Sequence, residues 1–126
     1  MRDIIFRGIG IKSREWVYGA YVPAMDEDDC DSIIDEQGEH HIVFSDTVGQ
    51  YTGLQDKNGK KIFEGDILAF VGAENPKAFF VIVEWDARLC CYYLRRVDVN
   101  ICNRYGFFPS SYTLEGNIHD HKHLIK

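Results

Sequence analysis

The sequence predicts a mostly β protein, and three observations carry that prediction. Two Trp, seven Tyr and eight Phe lie in a chain of 126 residues that is 45% hydrophobic, and aromatic side chains favour the pleated, half-buried surface of a sheet. The apolar and β-branched residues come in short runs, not at helical spacing. Glycine-bearing polar clusters such as Asp35-Glu36-Gln37-Gly38 and Asp56-Lys57-Asn58-Gly59 separate those runs, as turns between strands require.

Arg2 to Arg7 reads as a short strand ended by Gly8-Ile9-Gly10. Glu15 to Val22 follows, stopped by Pro23, and a period of two groups Trp16, Tyr18, Ala20 and Val22 on one face. Gly19 inside that strand marks a bulge or a close backbone approach. Asp26 to Asp31 is acidic and expected to be exposed. Ser32-Ile33-Ile34 and His40 to Phe44 flank Asp35 to Gly38 as a β-hairpin, with Gly38 supplying a positive φ.

Asp56 to Lys60 suits a type I turn followed by Gly59 in the left-handed region. Glu64-Gly65-Asp66 reverses the chain again before Ile67 to Val71. Ala78 to Trp85, the turn Asp86-Ala87-Arg88 and Leu89 to Val97 form a second hairpin, and Tyr112 to Ile118 closes the sheet. Asp98 to Gly106 fits either a short helix or an irregular loop. The expected architecture is an N-terminal β-hairpin and meander lobe, about 1–52, packed on a small SH3-like barrel, about 65–126. Residues 53–64 would join the two.

A net charge of −6 argues against non-specific nucleic-acid binding, which depends on Lys and Arg neutralising phosphates. A local basic patch remains, from Lys57, Lys60 and Lys61 at one turn and the adjacent Arg95 and Arg96. The four cysteines include no Cys-x-x-Cys. The opening residues are unlike a secretory signal and no apolar run reaches membrane length, so a cytoplasmic protein with reduced thiols is expected, with no membrane partner.

The run Val48 to Leu54, then Asp56-Lys57-Asn58-Gly59-Lys60-Lys61-Ile62-Phe63-Glu64-Gly65-Asp66-Ile67, resembles the YopX family of phage and prophage proteins. Arg2 to Gly8, Trp16 to Gly19 and Glu115 to Ile118 are similar to its outer blocks. Two positions depart from the pattern: Ile9 stands where Trp is frequent, and the tail Asp120-His121-Lys122-His123-Leu124 replaces a carboxylate followed by Asn-Pro-Glu-Leu. The resemblance implies a β-rich, phage-type protein. It brings no catalytic residues, only a motif of unassigned role: Tyr51, Thr52, Gly53, Asp56, Asn58, Gly59, Glu64, Gly65 and Asp66.

Other chemistries fare poorly against the residues. His119, His121 and His123 alternate, so a strand would project three imidazoles from one side, a donor set for zinc, copper or nickel; a hydrophilic tail is the simpler reading. His40 and His41 are adjacent, and only one faces a given side. An EF-hand begun at Asp26 would need Gly and Glu where Asp31 and Gln37 stand. Gly53 to Lys61 lacks the spacing and the final hydroxyl of a P-loop. Apolar neighbours around Cys90 suggest buried, inert thiols, and Asp56 and Asp66 read as turn and backbone anchors rather than an acid and base. No cofactor is expected. The chain reads as an accessory protein acting through protein contacts, with itself as a homo-oligomer and with a host or phage protein. The alternative is a nucleic-acid-associated regulator using the barrel and the basic turn.

Overall fold

The computed structural model describes residues 3–72, 75–97, 104–105 and 111–122, and among these it forms eleven strands together with the 3-10 turn Ser45–Thr47. The expected mostly β class holds, with antiparallel pairing throughout. The chain divides into two units, residues 1–51 and 52–126. Residues 53–64 fall in the second.

The first unit is a meander. Its strands are β1 (Phe6–Ile9), β2 (Trp16–Val22), β3 (Ser32–Ile34) and β4 (His40–Ile42), together with the start of β5 (Gly49–Gln55), in the order β4-β3-β2-β1-β5. β1 pairs with β2 from Phe6↔Gly19 to Ile9↔Trp16, and β2 with β3 from Ala20↔Ile34 to Val22↔Ser32. Val17, Ile33 and Val43 form its buried centre, with Phe6 and Val48 packed against them. Each such side chain taken fully from water contributes about 1.5–3 kcal/mol.

Gly19 is fixed by this packing. An added Cβ would lie 2.0 Å from the Ile34 carbonyl oxygen, so the expected close backbone approach is real. The burial of β2 also settles which face is which. Tyr18, Ala20 and Val22 share a side as the period of two requires, but it is the solvent side; Val17 and Tyr21 face inward. Trp16 is half-buried because the Arg7 guanidinium, on a side chain itself buried, lies 4.5 Å over its ring.

In the second unit, β5 continues past Tyr51 and pairs with β6 (Lys61–Phe63). A five-stranded sheet follows: β7 (Asp66–Gly72), β8 (Asn75–Asp86), β9 (Cys91–Arg96), β10 (Arg104–Tyr105) and β11 (Thr113–Asn117), in the order β10-β9-β8-β7-β11. β10 and β11 end that order, and among the described residues no pairing closes it into a barrel. Ile62, Leu68, Phe79, Val81, Val83, Leu94 and Tyr112 make the core. Ile67 and Ile82 are register partners and are buried too. β8 is therefore covered on both sides, which explains its unbroken apolar run. Most of Asp98 to Gly106, read as helix or loop, lies outside the described residues; Arg104–Tyr105 is strand.

Candidate functional site

The hairpin of β3 and β4 is built as its sequence suggests, with Gly38 at φ 81°. Asp35 starts the turn. Its Oδ1 accepts the backbone N–H groups of Gln37 and Glu39, both at 2.9 Å, which fixes the carboxylate and leaves Oδ2 presented outward. The register Ile34↔His40 sets His41 one step further along, and its Nε2 lies 2.8 Å from Asp35 Oδ2. Glu39 Oε2 lies 4.0 Å from the same nitrogen. The His41 hydrogen bond first, then the backbone donors, hold the Asp35 carboxyl below the usual range despite its partial burial.

An open cleft of about 370 Å³ lies beside these groups, bordered by Ser13, Glu15, Trp16 and Tyr18 as well as by Asp35 and His41. Sequence reading missed this cluster. Along the chain Asp35 reads as a turn former, and His40 and His41 read only as neighbours facing opposite sides of a strand. Only the cross-strand register brings the two together, and residue alternation alone does not fix register.

The motif shared with the YopX pattern is placed differently. Asp56 is buried and accepts three backbone N–H groups: Asn58 and Lys60 at 2.8 Å through Oδ1, and Leu114 at 2.9 Å through Oδ2. Burial alone pushes its carboxyl up. The donors of Leu114, Lys60 and Asn58, with the nearby Lys60 charge, outweigh burial and hold it below the ordinary value. Gly59 has φ 82°. The Thr52 hydroxyl donates to the Ile62 carbonyl at 2.8 Å, and Asp66 Oδ2 accepts Phe63 N–H at 2.7 Å. Gly65, beside Glu64 in the second reversal, donates to the Val83 carbonyl and accepts from Ile118 N–H. Tyr51 is buried at the end of the first unit. From Thr52 to Asp66 the motif thus acts as a brace, tying β5, β6, β8 and β11 together.

His119 and His121 do not lie on a strand. β11 ends at Asn117, whose Oδ1 accepts N–H groups from His119 and Asp120 and turns the chain. His121 folds back so that its Nδ1 accepts Asn117 N–H at 3.2 Å. His123 lies outside the described residues. The inference of buried thiols is also corrected: Cys30, Cys90 and Cys91 are exposed. Cys90 sits in the β8–β9 turn at φ 52°, and Cys91 pairs with Asp86 at the hairpin end, away from the core. Cys102 lies outside the described residues.

Of the basic groups, Lys57, Lys60 and Lys61 are exposed. Arg95 pairs with Glu84, and the Arg96 guanidinium lies 4.3 Å over the Phe79 ring. A further surface feature is apolar. On the solvent side of β2, β3 and β4, the register aligns Ala20, Ile34 and His40 in one row and Val22, Ser32 and Ile42 in the next, with Tyr18 alongside. Tyr18 is 47% exposed, Val22 38% and Ile42 49%. No helix among the described residues is long and apolar enough to cross a membrane.

Comparison with known proteins bears on the fold and the family. No curated protein matches the chain. A crystal structure of protein EF1440 from Enterococcus faecalis is similar to it, with a TM-score of 0.60 at 22% identity over 100% of both chains. That likeness supports the arrangement of strands. The model of the YopX protein family matches residues 5–126, nearly the whole chain, and so spans most of the first unit and all of the second, the brace included. The chain belongs to the YopX protein family.

Proposed function

We propose that the protein is a phage- or prophage-derived accessory protein that acts through protein–protein contacts, first with a second copy of itself. The observation that carries this reading is the solvent side of β2, β3 and β4, where Val22 and Ile42 stand exposed in one row and Tyr18 stands exposed beyond the row of Ala20, Ile34 and His40. A two-fold assembly needs only one such patch, because the same surface serves both subunits. Each of these side chains is already half or more covered, so burying the remainder would contribute roughly half, or less, of the 1.5–3 kcal/mol of full burial, counted once per subunit. A host or phage protein is the second class of partner for the same face. The nucleic-acid reading has less support, since Arg95 and Arg96 are engaged within the second unit and the net charge is −6.

Sedimentation velocity on the wild type and on Tyr18→Asp and Ile42→Asp tests the proposal. Both positions are exposed, so the variants should keep the wild-type circular dichroism and lose self-association. Unchanged sedimentation in both variants would remove this face from the account.

A further inference from the structure

We infer that the β3–β4 hairpin carries a binding site for a zinc-class divalent cation, formed by His41 Nε2, Asp35 Oδ2 and Glu39 Oε2. These three donor atoms all lie within 4.8 Å of one another. Tetrahedral zinc, with ligand distances of about 2.0–2.2 Å, holds its donors roughly 3.4 Å apart. The two separations from His41 Nε2, 2.8 Å to Asp35 and 4.0 Å to Glu39, bracket that value. Closing the set takes an inward rotation of the Glu39 side chain, which is 74% exposed, and a small opening of the His41–Asp35 pair from its 2.8 Å hydrogen bond.

Two further features favour a cation here. Asp35 is oriented in advance, because Oδ1 is held by two backbone N–H groups while Oδ2 faces His41; such outer hydrogen bonds are what position a metal-binding carboxylate. The cleft beside the Asp35 carboxylate is also acidic. Glu15 and Glu36 join Asp35 in lining it, with no Lys or Arg among its described lining residues, while Lys12 lines the separate cleft that His41 shares with His40. One imidazole and two carboxylates, with no thiolate, suit zinc over softer-site metals, and the Irving–Williams order places it above manganese and iron(II). The cleft leaves room for a water or an exchangeable fourth ligand. In the metal-free protein the His41–Asp35 hydrogen bond puts the imidazole proton on Nε2. Cation binding at Nε2 leaves the neutral ring protonated at Nδ1 instead. The metal would then bridge the start of the turn to β4 and clamp the hairpin.

The test is calorimetric titration of the full chain with zinc chloride, alongside His41→Gln, Glu39→Gln and a His119→Gln/His123→Gln double variant. One equivalent of zinc should bind to the wild type. His41→Gln should weaken binding on the order of 100-fold, in line with the 10–100-fold losses that even outer-shell changes produce. Glu39→Gln should weaken it less, and the double variant should bind as the wild type does. Glu39 makes no backbone contact through its side chain that folding requires, so its variant reports on binding even if His41→Gln alters the hairpin. Absence of binding by the wild type would overturn the inference. So would binding that persists unchanged in both His41→Gln and Glu39→Gln, or that disappears only in the tail variant.

Discussion

Removing the Asp56 carboxylate should unlock the second unit. Its Oδ2 accepts Leu114 N–H at 2.9 Å, on a half-buried residue of β11, and its Oδ1 accepts Asn58 and Lys60 N–H at 2.8 Å on exposed turn residues. A hydrogen bond to a charged acceptor contributes about 1.5–3 kcal/mol, and the Leu114 donor has poor access to water once its partner is gone. The two turn donors can be solvated, so about 0.5–1 kcal/mol each is expected from them. Asp56→Ala should therefore cost about 2.5–5 kcal/mol, and Asp56→Asn about 2–3 kcal/mol, because the amide keeps one acceptor but turns an NH₂ toward a donor. Urea melts followed by far-ultraviolet circular dichroism measure both. The pH dependence follows from the same contacts. The folded carboxyl titrates below its unfolded value, so its stabilisation is complete above the ordinary Asp range and disappears as pH falls through the depressed folded value. Asp56→Asn should remove that part of the acid sensitivity. A loss under about 0.5 kcal/mol for Asp56→Ala would refute the brace.

Two glycines should fail for different reasons. Gly59→Val meets open space, its nearest side-chain atom being Gln55 Oε1 at 3.9 Å, so only the positive φ is strained; a cost of about 1–2 kcal/mol is expected in a thermal melt, and an unchanged melting temperature would remove the turn argument. Gly19→Ala meets no φ penalty but drives its Cβ into the Ile34 carbonyl at 2.0 Å. Overpacking against backbone should cost about 3 kcal/mol or more and loosen the β2–β3 pairing, which amide exchange at Ile33 and Ile34 would register as faster; protection equal to the wild type would contradict the packing described.

The hairpins were the most legible part of the fold. Ser32 to Phe44 and Ala78 to Val97 each place an apolar run on either side of a compact turn cluster, and both pair as expected. Gly38 and Gly59 supply the left-handed residues those turns need. The inward side of β2 was not legible, because alternation groups Tyr18, Ala20 and Val22 without saying which group faces the core. Gly19 held the missing information: the close approach it permits lies on the side of Val17 and Tyr21. The cysteines misled because apolar neighbours along the chain do not guarantee burial at a hairpin end. The strand alternative for His119 and His121 fails because Asn117 ends β11 and caps a turn there. The Asp35–Glu39–His41 cluster needed a register, and the apolar outer face needed a sheet; both exist only once strands are paired.

Light scattering on the purified protein at micromolar concentration addresses the central claim most directly, since action through self-contact requires more than one copy. The account predicts the mass of two or more chains of 14.6 kDa each, falling to the single-chain value in Tyr18→Asp. A wild-type protein that remains one species of 14.6 kDa across that concentration range would contradict it.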